Sequence, residues 1–366
     1  MSQSNPSSKD PRRLIRDPEG WNAGPVPRLL GEHPVTPASL FFTRSHAPVP
    51  AVDPVRWRLK VTGMVQRSFD LSMEELTTGF GRQEVTATLV CAGLRRAELE
   101  SVRPVPGELP WGTEAISTGR WTGAPLAELL SRAGVAAGAA HVEFVGLDQV
   151  ERGGERFGFG GSVPLAKAMG REVLLAFELN GAPLPPEHGY PVRALVPGYF
   201  GARSVKWLGE IRVTRDPSAN YFQTQAYRIQ RDPPASNPRD VSGGTELGEL
   251  GLNAVILSPD GSSVLPPGET IVSGWALSAG DAPPVRVEVS TDAGRHWVSA
   301  ALSEGEGSWA WRQWRAVVRL GAGTHTLVAR AFDAEGRGQP GELAEVWNVK
   351  GYANNAWHRV SVTVSV

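Results

Sequence analysis

Cysteine is almost absent: the 366-residue chain has one, Cys91. A single thiol cannot close an intrachain disulfide, which excludes a secreted disulfide scaffold. Zinc sites built on paired cysteines and iron–sulfur clusters held by four thiolates are excluded with it. Neither charge is in excess: 37 Lys and Arg stand against 38 Asp and Glu, a formal net charge of −1. A general nucleic-acid binder would show a basic footprint, so no nucleic-acid partner is expected. No apolar run approaches the roughly 18 residues that read as a membrane span, so no membrane partner is expected either. The polar N-terminus carries an Arg12-Arg13 pair with no apolar stretch behind it. The chain as given shows no export signal and reads as cytoplasmic, or as periplasmic if a signal has been removed.

Turn formers and tryptophan are plentiful, with 42 Gly, 30 Pro and 12 Trp. Hydrophobic residues at 41% and charged residues at 20% make an ordinary globular composition. At about 150 residues per domain the length suggests two domains. Residues 1–24 read as a poorly ordered extension and 25–228 as a mixed strand and helix domain. In that domain Val55, Trp57, Leu59 and Val61 alternate with polar residues, a half-buried strand pattern. Ser72 and Glu75 have the spacing of a capping box, so a short helix starts there. Glu84 to Val90 reads as a strand ending at Cys91, and Pro125 to Ala133 as a helix stopped by Gly134. Val173 to Leu179 reads as a strand entering a tight Asn180-Gly181 turn.

Between 229 and 251 Pro233, Pro234, Pro238, Gly243 and Gly244 interrupt any periodicity, the signature of a linker. From 252 to 366 the helical signals vanish. Val285, Val287 and Val289 alternate with polar residues, and Ala310 to Leu320 and Thr324 to Phe332 flank a Gly-Ala-Gly turn. Short strands with regular turns indicate an immunoglobulin-like β-sandwich.

Cys91 opens the run Cys91-Ala92-Gly93-Leu94-Arg95-Arg96 at a strand end. Two arginines so close would favour a thiolate, which serves as a nucleophile or as a ligand to a soft or high-valent metal. As a nucleophile it would need a base, for which His46 and His188 are candidates. Three further runs carry cations with almost no acids: Phe41 to His46, His188 to Arg193 and Gly201 to Trp207. On a neutral chain they point to a local anion pocket, since arginine forks suit phosphates and oxyanions.

The Cys-Ala-Gly-x-Arg-Arg run resembles the molybdenum-binding segment of the sulfite oxidase family of molybdenum enzymes. Phe42-Thr43-Arg44-Ser45-His46, His188 to Arg193 and Ser204 to Lys206 resemble that family's molybdopterin-contacting segments. Ala115 to Gly123, Trp309 to Arg312 and Asn355 to Arg359 also match, so the resemblance runs from about Pro25 to Val366. It implies an α+β chain: a mixed molybdenum-cofactor domain followed by an immunoglobulin-like dimerisation domain, and hence a homodimer. Cys91 would ligate molybdenum beside the pterin's dithiolene. Arg44, His46, His188, Arg193 and Lys206 would hold the pterin and its phosphate. Ser204 and Val205 would lie near that phosphate, Asp148 would hydrogen-bond the pterin, and Phe42, Thr43 and Ser45 would complete the contacts.

The same resemblance implies oxidation of sulfite to sulfate by oxygen-atom transfer. Arg44, Arg96, Trp111 and Tyr227 match the family's substrate pocket, and Lys350 stands where sulfite oxidases carry an arginine from the second domain. Related nitrate reductases usually have asparagine at the tyrosine position and methionine at that of Lys350, so both residues favour sulfite. Leu94 departs from the family's usual asparagine. No Cys-x-x-Cys-His haem attachment site exists, so neither haem nor an iron–sulfur cluster is expected. Electrons would pass to an external acceptor: a c-type cytochrome, another redox protein or oxygen. The competing readings are a nitrate, S-oxide or N-oxide reductase on the same scaffold, a cysteine hydrolase, and a binding protein that has lost its cofactor.

Overall fold

The computed structural model describes residues 9–262, 264–280 and 282–366. Its first unit is built on two sheets. One is mixed, in the order Gly160–Pro164, His141–Gly146, Leu208–Thr214, Leu59–Gly63, Phe69–Leu71, with Leu208–Thr214 parallel to Leu59–Gly63. The other is antiparallel, in the order Ala182–Pro183, Leu174–Leu179, Ile116–Pro125, Gln83–Val90, and Arg193–Leu195 pairs on Leu174–Leu179.

This second sheet is buried on both faces, which explains the near-continuous apolar run of Leu174–Leu179. Leu175 and Phe177 join a core with Leu59, Phe144, Ile211 and the helix Leu126–Ala133. Leu174, Ala176 and Leu179 join another core with Phe41, Trp111, Cys91 and Tyr227, which continues into Trp275 and Trp311 of the second unit. The strand that delivers Cys91, Gln83–Val90, is the edge of this sheet, and its Ala87, Leu89 and Val90 are buried in the second of these cores, which anchors its end. Among the described residues no helix is long and apolar enough to cross a membrane.

The second unit packs two sheets face to face. Asn253–Ser258, Gly268–Leu277, Arg312–Leu320 and Ala301–Leu302 form one. Val264–Leu265, His358–Val364, Gly323–Asp333, Pro284–Ser290 and Val298–Ser299 form the other. Val272, Trp314, Ala316, Val287, Val289, Leu327 and Val362 fill the space between them. The units are stitched together at Gln83–Val90: Thr88 N–H donates to Trp309 O at 2.9 Å, and Trp311 N–H donates to Thr88 Oγ1 at 2.8 Å.

Most local expectations hold. Ser72 and Glu75 form the reciprocal capping box, and the Leu126–Ala133 helix stops at Gly134. Asn180 and Gly181 take φ of 53° and 78°, the two left-handed positions of a tight hairpin turn.

Other readings need correction. The strand read from Val55 begins at Leu59 instead; Val55 lies in a turn and is 80% exposed. A register shift between Pro284 and Arg286 turns Val285 outward while Val287 and Val289 stay in the core. A short helix, Leu343–Val346, interrupts the all-strand second unit. The segment 229–251 is docked to the protein: Arg228–Ile229 pairs with Thr245–Glu246, and Val241, Leu247 and Leu250 are buried. The described part of the extension is also structured, with Arg13–Ile15 paired to Ala23–Pro25 and Lys9 held against His188. Its polar composition hid this, because the partners that hold it lie far along the chain. Residues 1–8 lie outside the described residues.

Candidate functional site

Strand Gln83–Val90 ends at a turn that presents Cys91. The Cys91 N–H donates to Ala115 O at 2.9 Å, and Leu94 N–H donates to Cys91 O at 3.0 Å. The turn continues into Arg95 in the left-handed region, φ 63°. Cys91 opens on a cleft of about 740 Å³, part of it open to solvent. Phe42, Thr43, Arg44, Ser45 and His46 line it from one segment, and Asp148, His188 and Arg193 from three others. Ser204, Val205 and Lys206 line it from the loop before Leu208–Thr214, and Tyr227 closes one wall. At Gly189, φ 109°, a Cβ would come within 3.1 Å of the Lys206 side chain, so glycine lets these two basic loops meet.

Two of the cleft's cations hydrogen-bond to neutral acceptors among the described residues. Arg193 donates to the carbonyls of His188 at 3.0 Å and Ser204 at 2.7 Å. Lys206 Nζ donates to Ser45 Oγ at 2.7 Å and to Glu187 O at 2.9 Å. Burial pushes Arg193 down to about 9, and burial together with the Arg193 charge pushes Lys206 well below the ordinary lysine value. These groups bear a desolvation cost that a bound anion would offset. Thr43 Oγ1 accepts from Arg13 at 2.7 Å. Asp148 Oδ1 accepts from Phe159 N–H at 3.0 Å, and burial raises its carboxyl.

A three-residue chain runs beside Cys91. Arg44 Nη2 lies 3.3 Å from His46 Nδ1, and His46 Nε2 lies 2.8 Å from Tyr227 Oη. A guanidinium can only donate, so His46 Nδ1 accepts and the imidazole proton sits on Nε2. Burial, reinforced by Arg44, pushes His46 well below its usual value, which keeps it neutral. Nε2–H then donates to Tyr227, leaving the phenol's own proton free for another acceptor. Burial pushes Tyr227 up to about 12, so that proton is retained at neutral pH.

Arg96, Trp111 and Lys350 are not brought into the cleft lining; they form a layer beside it. Arg96 Nε donates to Lys350 O at 2.8 Å and Nη1 to Leu109 O at 2.7 Å. Its guanidinium lies 5.1 Å from the Tyr352 ring, which stacks on Tyr227 at 5.4 Å. Lys350 Nζ donates to Glu108 at 2.9 Å. Trp111 is fully buried, and its Nε1–H has no hydrogen-bond partner among the described residues. Arg95 departs from expectation too. It pairs with Glu98 at 2.7 Å and reaches Asn253 and Ala356 O of the second unit, so its donors serve that junction rather than the thiol. Leu94 is buried in the apolar core, where it needs no hydrogen bond.

Sequence reasoning missed four contributors. Tyr352 carries the stack from Tyr227 to Arg96, and Glu108 pairs Lys350. Asn22 Oδ1 accepts from Arg44 at 3.1 Å and from Ser45 N–H at 2.9 Å. Lys9 Nζ lies 2.6 Å from His188 Nε2 and 2.8 Å from Glu187. None sits in a motif, so only spatial proximity reveals them.

Residues 46–222 match a family model described as an oxidoreductase molybdopterin binding domain, and 245–365 one described as a Mo-co oxidoreductase dimerisation domain. A sulfite oxidase of Gallus gallus is 42% identical, with 97% of this chain and 79% of that protein covered. The mitochondrial sulfite oxidase of Rattus norvegicus is 41% identical, covering 100% and 68%. A nitrate reductase of Hordeum vulgare is more distant, at 36% identity over 93% of this chain and 40% of its own length. Among solved structures, the sulfane dehydrogenase SoxCD of Paracoccus pantotrophus has the same fold, with a TM-score of 0.80, 24% identity and coverage of 98% and 89%. By its matches along both units, the chain belongs to the sulfite oxidase family of molybdopterin oxidoreductases.

Proposed function

We propose that this protein is a molybdenum-dependent enzyme that oxidises sulfite to sulfate and passes the electrons to an external acceptor. The observation that carries the reading is a single free thiol opening on a cleft lined by buried cations whose hydrogen bonds go to neutral acceptors. Those cations fit an anionic cofactor. Among the described residues no group of three or more His, Cys, Asp and Glu side chains is placed to hold a metal ion. A metal bound here would therefore take most of its ligands from a cofactor, with Cys91 as the protein's own ligand.

Arg44, His46, His188, Arg193 and Lys206 would hold the pterin and its phosphate. Ser204 and Val205 would flank the phosphate, and Asp148 would accept from the pterin edge. When bound, the molybdenum cofactor supplies two-electron oxygen-atom transfer. The chain supplies the anion pocket and the donor. Arg44 offsets the charge of a small oxyanion, and Tyr227, its proton released from His46, offers a neutral hydrogen bond to a substrate oxygen. Phe42, Phe159 and Tyr227 form apolar walls that displace water and strengthen these contacts.

A phenol at 227 and a cation at 350 support sulfite over nitrate. The match of residues 245–365 to a dimerisation domain supports a homodimer. The test is a steady-state comparison of sulfite and nitrate on protein from a cofactor-competent host, with molybdenum measured in the same sample. Sulfite oxidation is expected, and it should be lost in Cys91→Ser with an unchanged thermal midpoint. Nitrate reduction with sulfite inert would overturn the substrate, and folded protein without molybdenum would overturn the enzyme.

A further inference from the structure

The two cations beside the cleft share one carboxylate. Glu108 lies 2.9 Å from Lys350 Nζ and 3.6 Å from Arg96 Nη2. Arg96 has little else to offer a ligand. Its Nε and Nη1 are taken by carbonyls, its face covers Tyr352, and a Cβ at Gly93 would sit 2.6 Å from its guanidinium. The Nη2 edge facing Glu108 is the side on which it can meet another anion. Glu108 is itself largely buried, with 18% of its side chain exposed, so its charge is only partly screened. That charge is felt at Arg44, Tyr227 and Tyr352.

We propose that Glu108 is an internal competitor for the substrate's place: its carboxylate holds Lys350 and Arg96 until an oxyanion displaces it, and so sets the protein's affinity for sulfite and sulfate. This rests on the sulfite reading above and deepens it. A carboxylate and a sulfur oxyanion present the same acceptors to these cations, so one must yield for the other to be held. Both substrate and product carry the negative charge that Glu108 opposes. The residue therefore weakens binding of both, which favours release of sulfate at the expense of a higher KM. It acts as a specificity-determining group that need not touch the reacting atoms.

The test is Glu108→Gln in the cofactor-loaded dimer, with Glu108→Ala as a second variant free of the polar end. Sulfate affinity is measured by titration calorimetry, alongside KM and kcat for sulfite at low and high salt. Both variants should bind sulfate about tenfold more tightly, roughly 1.4 kcal/mol, and lower KM to a similar degree, with the difference shrinking as salt rises. The kcat should not increase, because the chemical step keeps Arg44 and Tyr227. Unchanged or weaker sulfate binding in both variants, with sulfite oxidation retained, would overturn the role of Glu108 alone. Absence of sulfite oxidation in all three proteins would remove the functional reading and this inference with it.

Discussion

The chain from Arg44 through His46 to Tyr227 shows how a residue's role depends on the proton it is left with. Tyr227 lies in a packed aromatic environment, with ring centroids of His46, Phe159, Phe222 and Tyr352 within 6.2 Å. Its ring would pack there with or without a hydroxyl. Tyr227→Phe should therefore leave stability within about 1 kcal/mol, while kcat/KM for sulfite falls about 10- to 100-fold through loss of the donor. Steady-state kinetics beside a thermal melt would check this, and an unchanged kcat/KM would reduce Tyr227 to packing. Much of this site was legible from sequence, because Cys91 and the segments 42–46, 188–193 and 204–206 are contiguous motifs that line the cleft. Arg96 and Lys350 were legible as cations but not as partners of Glu108, since Lys350 lies 242 positions from Glu108 and no helix or strand spacing links Glu108 to Arg96.

At the scale of elements, the turn after strand Gln83–Val90 serves two purposes. Cys91 faces the cleft, while four residues on the left-handed Arg95 sends its fully buried guanidinium toward the second unit. Glu98, Asn253 and Ala356 O take its donors, and Glu98 also lies 3.7 Å from His358. Removing the arginine would leave Glu98 and the second unit's acceptors without their cation. Arg95→Met should destabilise the protein by about 2–3 kcal/mol. A fully buried pair would cost about 3–5 kcal/mol, but 27% of the Glu98 side chain remains exposed. Chemical denaturation would measure the loss, and a shift within a few tenths of a kcal/mol would show that the junction does not depend on Arg95. The element boundaries read from periodicity failed where a register shift intervened, as at Val285, because alternation alone does not report an inserted residue.

Across the whole molecule, buried neutral histidines link stability to pH. His358 Nδ1 accepts from Ile256 N–H at 3.0 Å, and burial is the main cause that pushes it from 6.5 to about 4. His46 and His188 lie well below 6.5 for the same reason, each with cations adding to the effect. Between those two values the unfolded chain binds more protons than the folded one, so stability rises with pH and is lost as pH falls from 6.5 toward 4. Thermal midpoints should drop through that window, and His358→Asn, which keeps an acceptor for Ile256, should flatten part of the slope. A wild-type midpoint that stays level from 6.5 to 4 would contradict the assignment. By itself the sequence determined the two-unit plan and the basic motifs around a lone thiol, because these are written in contiguous residues and local periodicity. Only the tertiary structure decided how the cations are used. It set Arg193 and Lys206 on neutral acceptors, turned Arg95 to the junction, and gave Lys350 and Arg96 to Glu108, because these contacts are set by distances in space rather than by spacing along the chain.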